Sequence, residues 1–121
     1  MTQYFLSLPH DSAEETTMAD IDPAELEALF AEVGAFNDEL QSTGAFVFAG
    51  GLQPPSTATT VDASGDAPVF TPGPFVEAPE YLGGFWVIEA DNDDDAIEWA
   101  KKASRALRSR VEVRALQEAP A

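Results

Sequence analysis

Apolar and polar positions alternate along the chain with two different periods, and the longer period predicts two helices. Between residues 26 and 40, apolar side chains recur every three or four positions, as on one face of an amphipathic helix: Leu26, Leu29, Phe30, Val33, Phe36 and Leu40. Asp22 and Pro23 suit the N-cap and the first turn, and Gly44 suits the end. A second helix is predicted to begin near Asp91 or Asn92, because acids fill its first turn and cations its end, as the helix dipole favours.

Short apolar runs predict four strands of one sheet, at residues 2–8, 45–51, 83–90 and 111–116. Residues 57–62 and 67–71 flank a polar turn at Ala63–Asp66, which predicts a hairpin between the second and third of these strands. Polar residues 9–21 predict a mobile loop, and residues 117–121 a frayed tail. The order is a βαβ-βαβ plan with an inserted hairpin, in a single domain spanning 1–121.

The third strand of this sheet predicts a second copy of the chain. Residues 85–88 read Phe-Trp-Val-Ile, so large apolar side chains point to both faces of the strand. Two helices in this plan cover one face only, and a chain of 121 residues has nothing left for the other. We therefore expect a homodimer that packs sheet against sheet and buries about 800 Å² per partner.

Charge narrows the classes of partner. The chain has 22 acidic and 6 basic residues, and all six cations lie between Lys101 and Arg114. Phosphate backbones and anionic membranes are bound mainly through Lys and Arg, so neither nucleic acid nor a membrane surface is an expected partner. The acidic surface fits a protein kept apart by self-repulsion, and it also fits adaptation to high salt.

Composition excludes further classes of chemistry. The chain has no cysteine, which removes disulfides, thiolate metal sites and cysteine nucleophiles. No apolar run approaches 18 residues, and the first ten residues do not form a secretory signal, so we expect a cytoplasmic protein. Neither a metal site nor a cofactor motif is found. Asp91, Asp93 and Asp95 imitate a calcium loop, but Ala96 and Lys102 stand where that loop needs glycine and glutamate.

A series of blocks between Gly51 and Arg114 carries a family resemblance. In order, the blocks are GLQPP, ATTV, GPF at 73–75, a glutamate at 77, LGGFWVIEA, DAIEWA and VEVR at 111–114. This series resembles the YCII-related family, in the branch known for a DGPF motif. The resemblance implies an α+β, ferredoxin-like fold assembled as a dimeric α/β-barrel. Pro72 stands where that motif has aspartate, so no acid–base role of that aspartate transfers to this chain.

The last strand suggests a binding site. Val111 and Val113 alternate with Glu112 and Arg114, so the charged pair is expected to face the space between two stacked sheets. A guanidinium there can hold a carboxylate with two hydrogen bonds, although Glu112 and Arg114 can also simply bind each other. We predict that the two charged residues line a pocket together with Phe75, Glu77 and Trp86.

No catalytic residue is identified. His10 is the only histidine and is followed by Asp11, which makes it a weak candidate for proton transfer, although a surface histidine is the simpler account. Three hypotheses remain. The first is a homodimeric module that binds or senses a small molecule. The second is a metal-independent isomerase, lyase or dehydrochlorinase acting on a small organic acid. The third is a structural partner protein.

Overall fold

The structure is a computed structural model, and it describes residues 2–10, 22–74 and 81–117. The predictions for residues 11–21, Phe75, Glu77 and the last four residues lie outside these ranges. Within them the elements follow in the order β1 (Thr2–His10), α1 (Pro23–Ser42), β2 (Phe46–Gly51), β3 (Thr59–Asp62), β4 (Val69–Pro72), β5 (Tyr81–Ala90), α2 (Asp93–Leu107) and β6 (Glu112–Ala115). A single 3₁₀ turn, Pro55–Thr57, precedes β3.

Four strands form an antiparallel sheet in the order β2-β5-β1-β6, and both helices pack against one face of it. This is the α+β, ferredoxin-like fold that the sequence predicts. The expected hairpin is also present: β3 and β4 pair with each other as a separate two-stranded sheet, with Val61 opposite Phe70.

The helix ends follow the local sequence. The Asp22 carboxylate accepts a hydrogen bond from the backbone N–H of Ala24, 3.2 Å away, and Pro23 opens α1. The Asn92 side chain accepts one from the N–H of Asp95 at 2.9 Å, and three aspartates fill the first turn of α2. At its other end α2 stops because Arg108 turns into the left-handed region at φ 53°.

The core lies between the helices and the sheet. Leu6 of β1, Leu40 of α1 and Ile88 of β5 are fully buried. The side of α2 that meets the sheet carries alanines, whose short side chains let the helix approach closely: Ala96, Ala100, Ala103 and Ala106. The predicted apolar stripe of α1 is wrong at Phe30, because this side chain is 53% exposed. Phe30 lies about 100° around the helix from Leu29, on the flank of the face that packs.

The first strand is longer than the sequence predicts. It reaches His10, two residues into the stretch predicted as a loop, after a register shift between Leu8 and Pro9. Proline has no backbone N–H and would break a ladder of hydrogen bonds. Pro9 is tolerated on this side of β1 because the pairing with β6 reaches only as far as Ser7. Among the described residues, neither helix is long and apolar enough to cross a lipid bilayer.

Candidate ligand groove on the open sheet face

Strand alternation gives the four-stranded sheet one face covered by helices and one that is not. We call the second face, which faces away from α1 and α2, the open face. The described side chains on it include Gln3, Phe5, Ser7, Phe48, Phe85, Val87, Glu89, Glu112 and Arg114. Every one of them is at least partly exposed, whereas their neighbours Leu6, Trp86 and Ile88 are buried under the helices.

The open face carries an aromatic cluster. Phe5 stacks on Phe85 with ring centroids 5.3 Å apart and planes 15° apart. Phe48 of β2 lies 5.9 Å from Phe85 on its other side and is 59% exposed. Three adjacent phenylalanines on a strand face that meets solvent form an apolar patch of the kind that marks a binding surface.

The charged pair of β6 lies beside this cluster. Arg114 is directly opposite Phe5 in the sheet, and Glu112 is opposite Ser7. An Arg114 guanidinium nitrogen donates to a Glu112 carboxylate oxygen 2.5 Å away. The two side chains are 78% and 60% exposed, so water screens the pair and it contributes only about 0–1 kcal/mol to stability. The Arg114 guanidinium is therefore accessible from solvent.

A groove of about 710 Å³ runs along the β1–β6 side of the open face. Its described lining combines apolar side chains, such as Phe5, with a few polar groups. The polar groups include Ser7, Tyr81, Arg110, Glu112 and Arg114. Such a lining, with a small number of polar groups in an apolar cleft, is typical of small-molecule sites. Two arginines give this groove a donor set that suits a carboxylate.

Trp86 does not belong to this face, which corrects the predicted grouping with Glu112 and Arg114. Its side chain is 4% exposed and points toward α1. The indole Nε1–H donates to the Asn37 side-chain oxygen at 2.8 Å, and the ring meets Phe36 edge-on at 5.1 Å. The physical reason is the two-residue period of β5, which places Trp86 on the covered face once Phe85 and Val87 occupy the open one.

The remaining predicted site residues are only partly located. His10 is the last residue of β1 and pairs with Tyr81, but its side chain lies outside what the structure describes. Phe75 and Glu77 are also outside the described residues. Pro72 ends β4 opposite Thr59, and the next residue, Gly73, has φ 98°, a conformation that glycine adopts easily.

The acidic run at 93–95 serves the fold. These aspartates form the first turn of α2, and Asp93 accepts a hydrogen bond from the Tyr4 hydroxyl at 2.7 Å. That hydrogen bond raises the pKa of Tyr4, and burial adds to the effect. Lys101 lowers the pKa of Glu98 by a hydrogen bond 2.8 Å long.

Two ion pairs join the helices to each other. Lys102 of α2 pairs with Glu39 of α1, and Arg108 pairs with Glu32 at 3.5 Å. Lys102 and Arg108 therefore each connect the end of the chain's second helix region to α1 by an exposed ion pair. Arg114 differs from Lys102 and Arg108, because its described acidic partner, Glu112, lies on the open face with it.

Sequence reasoning missed the aromatic cluster of the open face. The pattern of residues places Phe5 and Phe48 on strands but in no site, because their meeting with Phe85 depends on strand order and register. Phe48 reaches the open face only after a register shift between Phe46 and Phe48. The alternation of Tyr4, Phe5 and Leu6 carried a signal, since an aromatic between two buried residues must lie on the other face.

Comparison with known proteins agrees with the fold. The family model described as the YCII-related domain matches residues 4–119, which is nearly the whole chain. No curated protein matches the chain significantly.

Proposed function

The chain belongs to the YCII-related family, and we propose that it works as a homodimeric module that binds a small organic acid on its open face. The observation that carries the proposal is the position of Arg114. It is an exposed guanidinium beside an aromatic cluster, in a groove of about 710 Å³. Together these groups offer a carboxylate partner and an apolar wall.

The homodimer is supported by the exposed side chains of the open face. Phe48 is 59% exposed, and Phe5, Phe85 and Val87 are only half-buried. A second sheet stacked on this face would remove these groups from water, with a gain of about 25 cal/mol for each Å² of apolar surface buried. The groove would then lie between two sheets, where a lower dielectric strengthens the attraction between Arg114 and an anion.

Sedimentation equilibrium at micromolar concentration tests the dimer. We expect twice the chain mass of 12.9 kDa for the wild type and a shift toward monomer for Phe85→Glu, which places a charge in the open face. Phe30→Glu is the matched control, because Phe30 is an exposed phenylalanine on α1. A monomeric wild type would refute the homodimer, and equal dimerisation of both variants would refute the choice of face.

Thermal shift with a panel of small organic acids tests the ligand. We expect stabilisation of the wild type and little or none of Arg114→Met. Arg105→Met is the control, since it removes the same charge from α2 outside the groove. If an acid stabilises the wild type and Arg114→Met equally, Arg114 does not bind it, and the site assignment fails.

A further inference from the structure

The β3–β4 hairpin (residues 59–72), hereafter the hairpin arm, exposes apolar side chains that nothing in the described chain covers. Val61 is 56% exposed and Phe70, directly opposite, is 65% exposed, so the two form an apolar pair on one side of the ribbon. On the other side Val69 is 57% exposed. All four residues of β4 are exposed.

The hairpin arm has little support of its own. It is a separate two-stranded sheet, and its described ties lie at its base. There the backbone N–H of Gly73 donates to the carbonyl of Ala58 at 2.6 Å, and the Thr60 hydroxyl donates to the carbonyl of Gly73 at 2.9 Å. An isolated two-stranded ribbon is marginally stable in water, and an exposed valine–phenylalanine pair makes this one a surface that needs a partner.

We propose that the hairpin arm of each copy docks, through Val61 and Phe70, on the open face of the other copy and closes the groove there. This inference rests on the homodimer of the proposed function and adds to it. The ligand site of one copy would be completed by residues 59–72 of its partner, so a monomer would present the groove open to solvent.

The apolar area required for a stable dimer supports an arm in the interface. The open face offers four large apolar side chains. Phe48 is exposed, whereas Phe5, Phe85 and Val87 are already half-buried. A stable interface of ordinary size buries about 800 Å² per partner, and a large aromatic side chain brings about 150–250 Å² when it passes from full exposure to burial. Half-buried residues have less than that left to bury, so these four side chains supply only part of such an interface. Val61 and Phe70 add exposed apolar surface to it.

Charge complementarity favours the groove of the other copy as the place where the tip of the hairpin arm docks. The arm carries Asp62 and Asp66 and no cation. Asp62 stays ionised, because the hydroxyl and the backbone N–H of Ser64, at 2.5 and 3.0 Å, lower its pKa. Cations occur on this chain only from Lys101 onward. Of these, Arg110 and Arg114 line the groove, where Glu112 offsets one of the two positive charges.

Dimer dissociation constants test the apolar contact. We expect Phe70→Ser to raise the dissociation constant about tenfold or more, since each dimer loses two buried phenylalanines. Val69→Ser is the matched control, because it removes an equally exposed apolar side chain from the other side of the ribbon, and we expect no change. Circular dichroism establishes that each variant is folded.

The outcomes separate this inference from the function on which it rests. A wild-type monomer would overturn both. A wild-type dimer that is weakened by Phe85→Glu but equally tight in Phe70→Ser and Val69→Ser would overturn the hairpin arm alone. A dimer without any response to organic acids would leave the arm standing and refute the ligand.

Cross-linking gives a second test that leaves the apolar residues intact. The chain has no cysteine, so two separately prepared variants, Asp66→Cys and Arg114→Cys, can form a mixed disulfide only between copies. We expect this heterodimer on mild oxidation in high yield. Asp66→Cys mixed with Arg105→Cys is the control, because residue 105 lies on α2 outside the groove. Equal yields from the two mixtures would contradict docking of the arm tip at the groove.

Discussion

The two faces of the central sheet are made from the same strands, yet they differ in what covers them. On β5, Trp86 and Ile88 are 4% and 0% exposed under the helices, whereas Phe85 and Val87, on the alternate positions, are half-buried. Side-chain type does not separate the two sets, since both are large and apolar. The difference is that α1 and α2 cover one face and no described element covers the other.

Polar groups differ between the faces in the same way. On the covered face they are bonded within the fold, as in the hydrogen bonds from Trp86 to Asn37 and from Tyr4 to Asp93. On the open face, Glu112 and Arg114 pair with each other in contact with water. Groups whose bonds are buried hold the fold, and groups whose bonds are exposed can exchange them for a ligand.

The largest effect expected from this comparison is that of Ile88→Ala. The side chain is fully buried, so its loss leaves a cavity and lowers the free energy of unfolding by about 2–5 kcal/mol. Val87→Ala, one position away on the open face, is expected to act through the proposed dimer instead. Urea unfolding at several protein concentrations distinguishes them.

The penalty of Ile88→Ala should not depend on protein concentration, whereas that of Val87→Ala should shrink as the protein is diluted to monomer. If the two variants behaved alike at every concentration, the faces would not differ in the way described.

A smaller effect is expected from breaking the partly buried hydrogen bond of Trp86. Asn37→Ala leaves the indole N–H without its acceptor in a largely buried place, which costs about 1–3 kcal/mol. Asn37→Ala combined with Trp86→Phe should cost less than the sum of the two single changes, because the second removes the stranded donor. Additive penalties in chemical unfolding would show that the hydrogen bond contributes nothing.

Much of the fold could be predicted from the sequence because its signals are local. Asp22 and Pro23 mark the start of α1, and Asn92 with the aspartates after it marks the start of α2. The turn between Val61 and Val69 predicts the hairpin. Each of these features depends on residues a few positions apart, where capping and turn chemistry decide the structure.

The candidate site was harder to predict because it depends on strand register and on which face of the sheet the helices cover. Alternation identified Glu112 and Arg114 correctly as a pair on one side of β6, but it could not tell which side of β5 Trp86 takes. That choice is settled by the fit of Trp86 against Phe36 and Asn37, on a helix about 50 positions away in sequence. The cluster of Phe5, Phe48 and Phe85 likewise needs three strands in order.

The dependence of stability on salt compares the repulsion among all surface charges with the attraction within a few ion pairs. The net charge is −16, and repulsion among the excess acids is screened over about 10 Å at 0.1 M salt. Salt also weakens the exposed ion pairs, but each contributes only about 0–1 kcal/mol. Repulsion should dominate, so we expect potassium chloride to raise Tm, by about 3–6 °C for each kcal/mol gained.

Thermal melts from low to molar potassium chloride measure this effect. The Arg108→Gln variant, which removes one of the ion pairs between the helices, should gain at least as much as the wild type. A melting temperature that stays flat or falls with salt would contradict the dominance of repulsion.

The smallest effect expected is a pH dependence at the edge of the covered face. The hydrogen bond from the Tyr4 hydroxyl to Asp93, together with burial, raises the pKa of Tyr4 above its ordinary value of 10.0. The folded state therefore holds this proton more tightly than the unfolded state does. The resulting stabilisation is complete below pH 10.0, and it is lost as the pH rises from there through the folded pKa.

Tyr4→Phe isolates this contribution, because it keeps the ring and removes the ionisable hydroxyl. In urea unfolding between pH 8 and pH 11, other groups titrate in both proteins, so the difference between them is the quantity to follow. We expect the wild type to be the more stable at pH 8 and its advantage to fall above pH 10.0. Asp93 and Asp95, whose charges oppose ionisation of Tyr4, remain in both proteins. An advantage that grew with pH would mean that the hydroxyl ionises more easily in the folded protein, contrary to the bond with Asp93.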